Sequence, residues 1–134
     1  MIAVRIELSL EPGTGFAFVP ATLEGPNGVF EANLLLDTGA ALTTLSSRLS
    51  KVLGYELTSL PREEAPVVGG GASSRRMVLN HISIFDSTQS EVPSRFMELP
   101  VGFDGLLGND LLRSFNVIAV LDVRSKKATL VFRH

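Results

Sequence analysis

The stretch Leu34-Leu35-Leu36-Asp37-Thr38-Gly39-Ala40 constrains this chain more than any other. A continuous apolar run that stops at turn-forming residues reads as a buried strand. Its end places one carboxylate at the mouth of that strand, on a turn that only small residues can make. A carboxyl group in low dielectric resists ionisation. Two of them face to face cannot both ionise, so they share a proton and form an acid–base pair. The motif occurs once in 134 residues. If the acid works as one of such a pair, a second chain has to supply the other.

The length fits one domain spanning 1–134, and 45% hydrophobic residues suit a packed core rather than disorder. A net charge of −2 and the lack of a basic stripe argue against a nucleic-acid partner. Arg75-Arg76 is an isolated pair, expected on a solvated loop or strand edge. The absence of cysteine excludes disulfides, thiol nucleophiles and cysteine-based zinc sites. The start, Met1-Ile2-Ala3-Val4-Arg5-Ile6-Glu7, alternates and carries charge early, unlike a signal peptide. No apolar run approaches the roughly 18 residues of a membrane span. The expectation is a soluble, cytoplasmic chain with no membrane partner.

The pattern predicts an all-β chain with one or two short helices. Val4–Leu10 alternates as a half-buried strand does. Glu11-Pro12-Gly13-Thr14-Gly15 predicts a turn into Phe16–Glu24, and so a hairpin of these two strands. Gly25-Pro26-Asn27-Gly28 turns the chain into Val29–Leu36, and Thr43-Thr44-Leu45 is a short strand. Residues 46–54 predict a short helix capped by Ser46 or Ser47 and stopped by Gly54, with Leu49, Val52 and Leu53 on one apolar face. Pro61–Pro66 reads as a polar connector. Val67-Val68 and Met77-Val78-Leu79 flank a glycine-rich hairpin tip. Ile82–Phe85 continues as strand, Asp86–Pro93 reads as a turn region, and Arg95–Leu99 as a further strand. A helical stretch, Leu111–Phe115, follows Gly105-Leu106-Leu107-Gly108-Asn109-Asp110. Val117–Val123 and Ala128–Phe132 make a closing hairpin.

Three features cooperate around the acid. Thr38 offers a hydroxyl beside it. The glycines of Gly105-Leu106-Leu107-Gly108 allow tight packing against the acid turn. The glycine-tipped hairpin can close over a bound chain and exclude water. With these residues the chain resembles the retropepsin-like aspartic protease domains, the single-lobed relatives of pepsin. It looks closer to the bacterial and cellular members than to the viral ones. The carriers are Leu34 to Ala40, Gly69-Gly70-Gly71-Ala72, and Gly105 to Leu112, so the resemblance covers nearly the whole chain.

The resemblance implies a barrel with one lobe per chain and an aspartic endopeptidase that acts as a homodimer on an extended peptide or unfolded protein. Asp37 of each subunit would flank a catalytic water. Thr38 would grip the partner beneath the acids, with Gly39 and Ala40 completing the turn. Gly39 would accept substrate backbone hydrogen bonds. Gly69, Gly70, Gly71 and Ala72 would supply flap contacts, and Leu106, Leu107 and Gly108 would line or support the cleft. No cofactor is implied. Viral members often carry an acid two residues after the motif's glycine and an arginine after the second glycine motif. Ala41 and Asn109 stand there instead, and the flap tip has no aromatic residue. The alternative reading is a catalytically weak or inactive module that binds peptide or dimerises.

The remaining candidates point to structure. His81 and His134 belong to no His/acid cluster, so no metal is expected. Ser73-Ser74 lacks a strained elbow and a base. Asp110 is expected to cap or buttress the second helix, and Asp104 to mark a turn. Phe16, Phe18, Phe30, Phe103 and Phe115 are expected in the core.

Overall fold

The computed structural model describes residues 3–67 and 70–133. Val68 and Gly69 at the expected hairpin tip, and His134, lie outside the described residues. The strands and helices, in chain order, are β1 (Ala3–Ser9), β2 (Phe18–Glu24), β3 (Val29–Leu36), β4 (Thr44–Ser46), α1 (Ser50–Leu53), β5 (Arg62–Val67), β6 (Gly70–Ile84), β7 (Ser87–Met97), β8 (Gly105–Leu107), α2 (Asn109–Ser114), β9 (Val117–Asp122) and β10 (Lys127–Arg133). Strands dominate, as the alternation requires.

Two sheets divide the chain. The larger runs β2-β3-β8-β4-β7-β6-β5, and an additional β2–β6 pairing closes its first six strands into a barrel. Closure pairs both edges of every barrel strand and leaves β5 attached outside, on β6. The barrel is filled by fully buried Leu23, Leu34, Leu45, Leu79, Ile82 and Phe96. The smaller sheet has three strands in the order β1-β10-β9. Its inner face joins the same core through Leu130 and Phe132. No helix among the described residues is long and apolar enough to cross a membrane.

Several local expectations are corrected. β1 does not form a hairpin with β2; it pairs antiparallel with β10, from Ala3↔Arg133 to Ser9↔Lys127. The turn between them exists, with Glu11 N–H donating to the Phe16 carbonyl at 2.7 Å. Gly13 and Gly15, at φ of 88° and 73°, turn the chain away there, and β10 offers β1 an alternating partner. The connector 61–66 is instead strand β5, paired with β6 from Arg62↔Arg75 to Val67↔Gly70. An edge strand tolerates its charges and its proline. Gly70, Gly71 and Ala72 accordingly lie in the ladder, not in a loop.

The supposed turn region Asp86–Pro93 is mostly strand β7, with the turn confined to Phe85 and Asp86. Its polar residues pair across the hairpin: Ser83 with Thr88 at 2.8 Å, and His81 Nδ1 with Ser90 Oγ at 2.9 Å. The first helix is a 3-10 turn, Ser47–Leu49, that runs into α1. Neither serine makes a side-chain cap. The change of pitch leaves Val52 exposed while Leu49 and Leu53 stay buried. Gly54 ends α1 as expected, at φ 92°.

Candidate active site

The acid turn begins where β3 ends. Asp37 N–H donates to the Leu107 carbonyl at 3.0 Å, and the Asp37 carbonyl accepts from Ala40 N–H at 3.2 Å. The carboxylate folds over its own turn, with Oδ1 accepting from Gly39 N–H at 3.0 Å. A Cβ on Gly39 would stand 3.3 Å from that oxygen, so a side chain there would nudge the carboxylate by a few tenths of an ångström. Asp37 is half-buried, whereas Thr38, Gly39 and Ala41 are exposed. The acid thus sits at an open rim with its backbone locked and part of its carboxylate free.

The second glycine motif is wedged beneath this turn. β8 runs between β3 and β4, parallel to the first (Leu34↔Gly105, Leu36↔Leu107) and antiparallel to the second (Leu45↔Gly105). A Cβ on Gly105 would approach the Thr44 carbonyl to 2.5 Å, and one on Gly108 would approach the Ala40 carbonyl to 2.8 Å. Both glycines are therefore forced by backbone proximity. Leu107 is buried and Leu106 half-buried, so Leu107 supports the turn from below and Leu106 is the leucine within reach of a cleft.

Two polar links tie the motifs together, and sequence reasoning missed both. Asn109 N–H donates to the Ala40 carbonyl at 2.8 Å, and its side-chain amide donates to the Thr38 carbonyl. The position that departs from the viral pattern thus holds the acid turn by an amide in place of an ion pair. Thr43 is fully buried; its hydroxyl donates to Asp110 Oδ1 at 2.9 Å and accepts from Gly108 N–H at 3.2 Å. Asp110 therefore buttresses the junction rather than capping α2, which has no side-chain cap. The available signal was the threonine pair Thr43-Thr44 ahead of Leu45 and an acid beside the second motif. Their pairing across the sequence could be seen only in the fold.

Other candidates fall around this centre. Asp104 does more than mark a turn. It pairs with Arg48, its Oδ2 accepts from Asn33 N–H at 2.9 Å, and its carbonyl accepts from Ser46 N–H at 2.8 Å. Of the phenylalanines, Phe115 is core and Phe30 packs partly buried against it. Phe16, Phe18 and Phe103 instead form a half-open cluster with ring centroids 6.0–6.4 Å apart. Phe18 pairs with Leu35 and the Ala17 carbonyl accepts from Leu36 N–H, so this cluster flanks the last residues before Asp37. The β5–β6 hairpin reaches past the barrel: β7 pairs with β6 only from Ser74 onward, leaving Gly70 to Ser73 paired with β5 alone.

A family model described as aspartyl protease matches residues 19–111, and the chain belongs to that family. Its fold is retropepsin-like. A retropepsin-like aspartic protease from Rickettsia conorii is similar at 20% identity and a TM-score of 0.76, over 98% of this chain and 92% of that one. Basic 7S globulin from soybean is similar at 13% identity and a TM-score of 0.53, over 98% of this chain but only 50% of that one. This chain thus spans half the length of the globulin. No curated protein matches. Family and fold together point to a hydrolase of the aspartic type.

Proposed function

We propose that the protein is an aspartic endopeptidase whose active site forms between two copies of the chain. The observation that carries this reading is the Asp37 turn itself: a partly free carboxylate at an exposed rim, fixed by Leu107 and Asn109, present once per chain. In the dimer the two Asp37 carboxylates share one proton and hold a water between them. The ionised acid takes a proton from that water as oxygen attacks the scissile carbonyl carbon. The protonated acid donates to the carbonyl oxygen, giving a neutral gem-diol. Collapse breaks the C–N bond, with one diol proton returning to an acid and another proton passing to the leaving nitrogen.

Thr38, exposed beside the acid, is positioned to grip the second copy, and Gly39 and Ala40 keep the turn small. A peptide in extended form would bind by backbone hydrogen bonds, Gly39 accepting from it. Leu106 and the Phe16–Phe18–Phe103 cluster offer apolar walls, while Leu107 and Gly108 support the floor. Gly70 to Ala72, at the end of the long β5–β6 hairpin, are the proposed flap, together with Gly69, which lies outside the described residues. The proposed setting is cytoplasmic, with unfolded or extended polypeptide as substrate.

The test is cleavage of a chemically unfolded protein from mildly acidic to neutral pH. Asp37→Asn is expected to lower turnover by about a thousandfold or more while the fold persists by circular dichroism. A peptide carrying a statine-type mimic of the tetrahedral intermediate should inhibit the parent protein. Turnover that survives in Asp37→Asn overturns the reading. Binding of the mimic without turnover favours the peptide-binding module instead.

A further inference from the structure

The sheet that carries the acid turn is crossed by one continuous rung. Phe18 of β2 pairs with Leu35 of β3, Leu35 with Leu106 of β8, and Leu106 with Thr44 of β4. Thr44 in turn pairs with Arg95 of β7, and Arg95 with Arg76 of β6. Paired residues lie on one face of a sheet, and their chain neighbours lie on the other. Here the neighbours Val19, Leu34, Leu45, Phe96 and Met77 are buried in the barrel. The rung therefore lies on the face turned away from the barrel interior, and half-buried Leu106 places it along the proposed cleft. It begins apolar, at Phe18, and ends in two arginines.

Arg75-Arg76, expected on a solvated loop or strand edge, thus lies inside a barrel strand with its members on opposite faces. Arg75 is engaged, its guanidinium donating to the Leu60 carbonyl at 2.9 Å. Arg76 and Arg95 are held loosely. Among the described residues they share one carboxylate, Glu63 of β5, at 3.6 and 4.0 Å. Both distances exceed a charge-assisted hydrogen bond. Arg95 Nε is buried and, among the described residues, has no acceptor. An unpaired N–H of a guanidinium in such a place is costly until an acceptor reaches it. Two cations against one anion also leave the cluster with an excess of positive charge.

We infer that Arg95 and Arg76 form a subsite for an acidic side chain of the substrate, a subsite that rests on the endopeptidase reading above and gives it a sequence preference. From β3, which ends at the acid turn, to β7 is three strand spacings, about 14 Å. With the reach of the side chains counted, an extended substrate places the acidic residue about two to four positions from the cleaved bond. A guanidinium takes a carboxylate through parallel N–H···O bonds, which an amide or a hydroxyl cannot match. The entering carboxylate accepts from Nε and Nη of Arg95, while Glu63 stays with Arg76. Arg95 turns outward to do so, as its loose 4.0 Å contact allows. A lysine at the same place is repelled. Glu63 belongs to the proposed flap hairpin through its pairing with Ser74, so an occupied subsite is fastened to the base of that hairpin.

The test uses quenched-fluorescent peptides that differ only in Glu, Gln or Lys, scanned over about two to four positions on either side of the cleaved bond. At one of these positions the parent chain is expected to favour Glu over Gln by about tenfold in kcat/KM, mainly through KM, and to reject Lys. The preference should shrink as salt rises. Arg95→Gln and Arg76→Gln should each lower the Glu-to-Gln ratio, and together bring it to about one. Arg95→Lys should keep part of it, and Arg95→Glu should turn the preference toward Lys. If Arg95→Gln slows all three peptides alike and leaves the ratio intact, the arginine only braces the sheet and the subsite is overturned. A parent chain that treats Glu, Gln and Lys alike overturns it too. If nothing is cleaved, the same peptides carrying a statine unit at the bond are titrated by fluorescence anisotropy. Tighter binding of the Glu member that is lost in Arg95→Gln then upholds the subsite and overturns the catalytic reading. Equal binding of all three members, or none, overturns the subsite.

Discussion

The barrel and the three-stranded sheet use the same kind of strand in opposite ways. In the barrel, β2 meets β6 and every edge is paired, so a single chain satisfies its own backbone. In the small sheet, β10 is satisfied while, among the described residues, β1 and β9 each keep an open edge. The difference separates two kinds of stability. A barrel mutation should therefore cost the same at any protein concentration, whereas a contact that a second copy would make on an open edge would add a concentration-dependent part. Asp37 is held by barrel strand β8, and Leu36 before it packs against the cluster of Leu10, Ala17 and Ala128.

Substitutions can break or sharpen this contrast. The largest effect is expected for Gly105→Ala, where the new methyl collides with the Thr44 backbone carbonyl at 2.5 Å. A loss of about 3 kcal/mol or more is expected, read by urea unfolding at two protein concentrations. The same loss at both would place the damage in the barrel, and a concentration-dependent loss would contradict the division. Thr43→Val keeps the shape but strands Gly108 N–H and the Asp110 carboxylate. About 2 kcal/mol is expected from it, again without concentration dependence.

The smallest effect concerns the turn beside the β9 edge. Hydrogen bonds from Ser125, its backbone N–H first, hold the Asp122 carboxyl below the usual range. The lowered folded value means that the ionised group favours the turn above the ordinary carboxylate pKa. That preference fades as pH falls through the lowered value. Carboxyl chemical shifts should show Asp122 titrating below an ordinary aspartate, and Ser125→Pro should bring the midpoint back up. An unchanged midpoint would show that Ser125 does not set it.

Much of this was legible in the sequence wherever one residue type carries one meaning. An apolar run stopped by Asp-Thr-Gly marked the end of β3, and the apolar stretches 117–123 and 128–132 on either side of Arg124-Ser125-Lys126-Lys127 marked the closing hairpin. The glycines at 105 and 108 were expected to permit close packing, and their missing side chains would indeed collide with backbone oxygens. Partnerships were not legible. β1 follows a strong turn signal into β2 yet pairs with the far end of the chain, because periodicity tells which face is buried and not which strand lies alongside. β5 and the start of β7 hid behind polarity that suits edge and solvent-facing strands equally well. At the site, Ala41 and Asn109 were noticed as departures, but an amide reaching the Thr38 carbonyl needs two distant loops placed side by side.

That amide carries a consequence for folding. Asn109 and Thr38 are 71 residues apart in sequence, as are Asn33 and Asp104, and Thr43 and Asp110 are 67 apart. Contacts this remote form only after a large loop has closed, and they slow the approach to the native state. A growing chain therefore carries its Asp-Thr-Gly turn through most of synthesis without Leu107 or Asn109 to hold it. The carboxylate takes its working position only once the residues around 105–110 have emerged and paired.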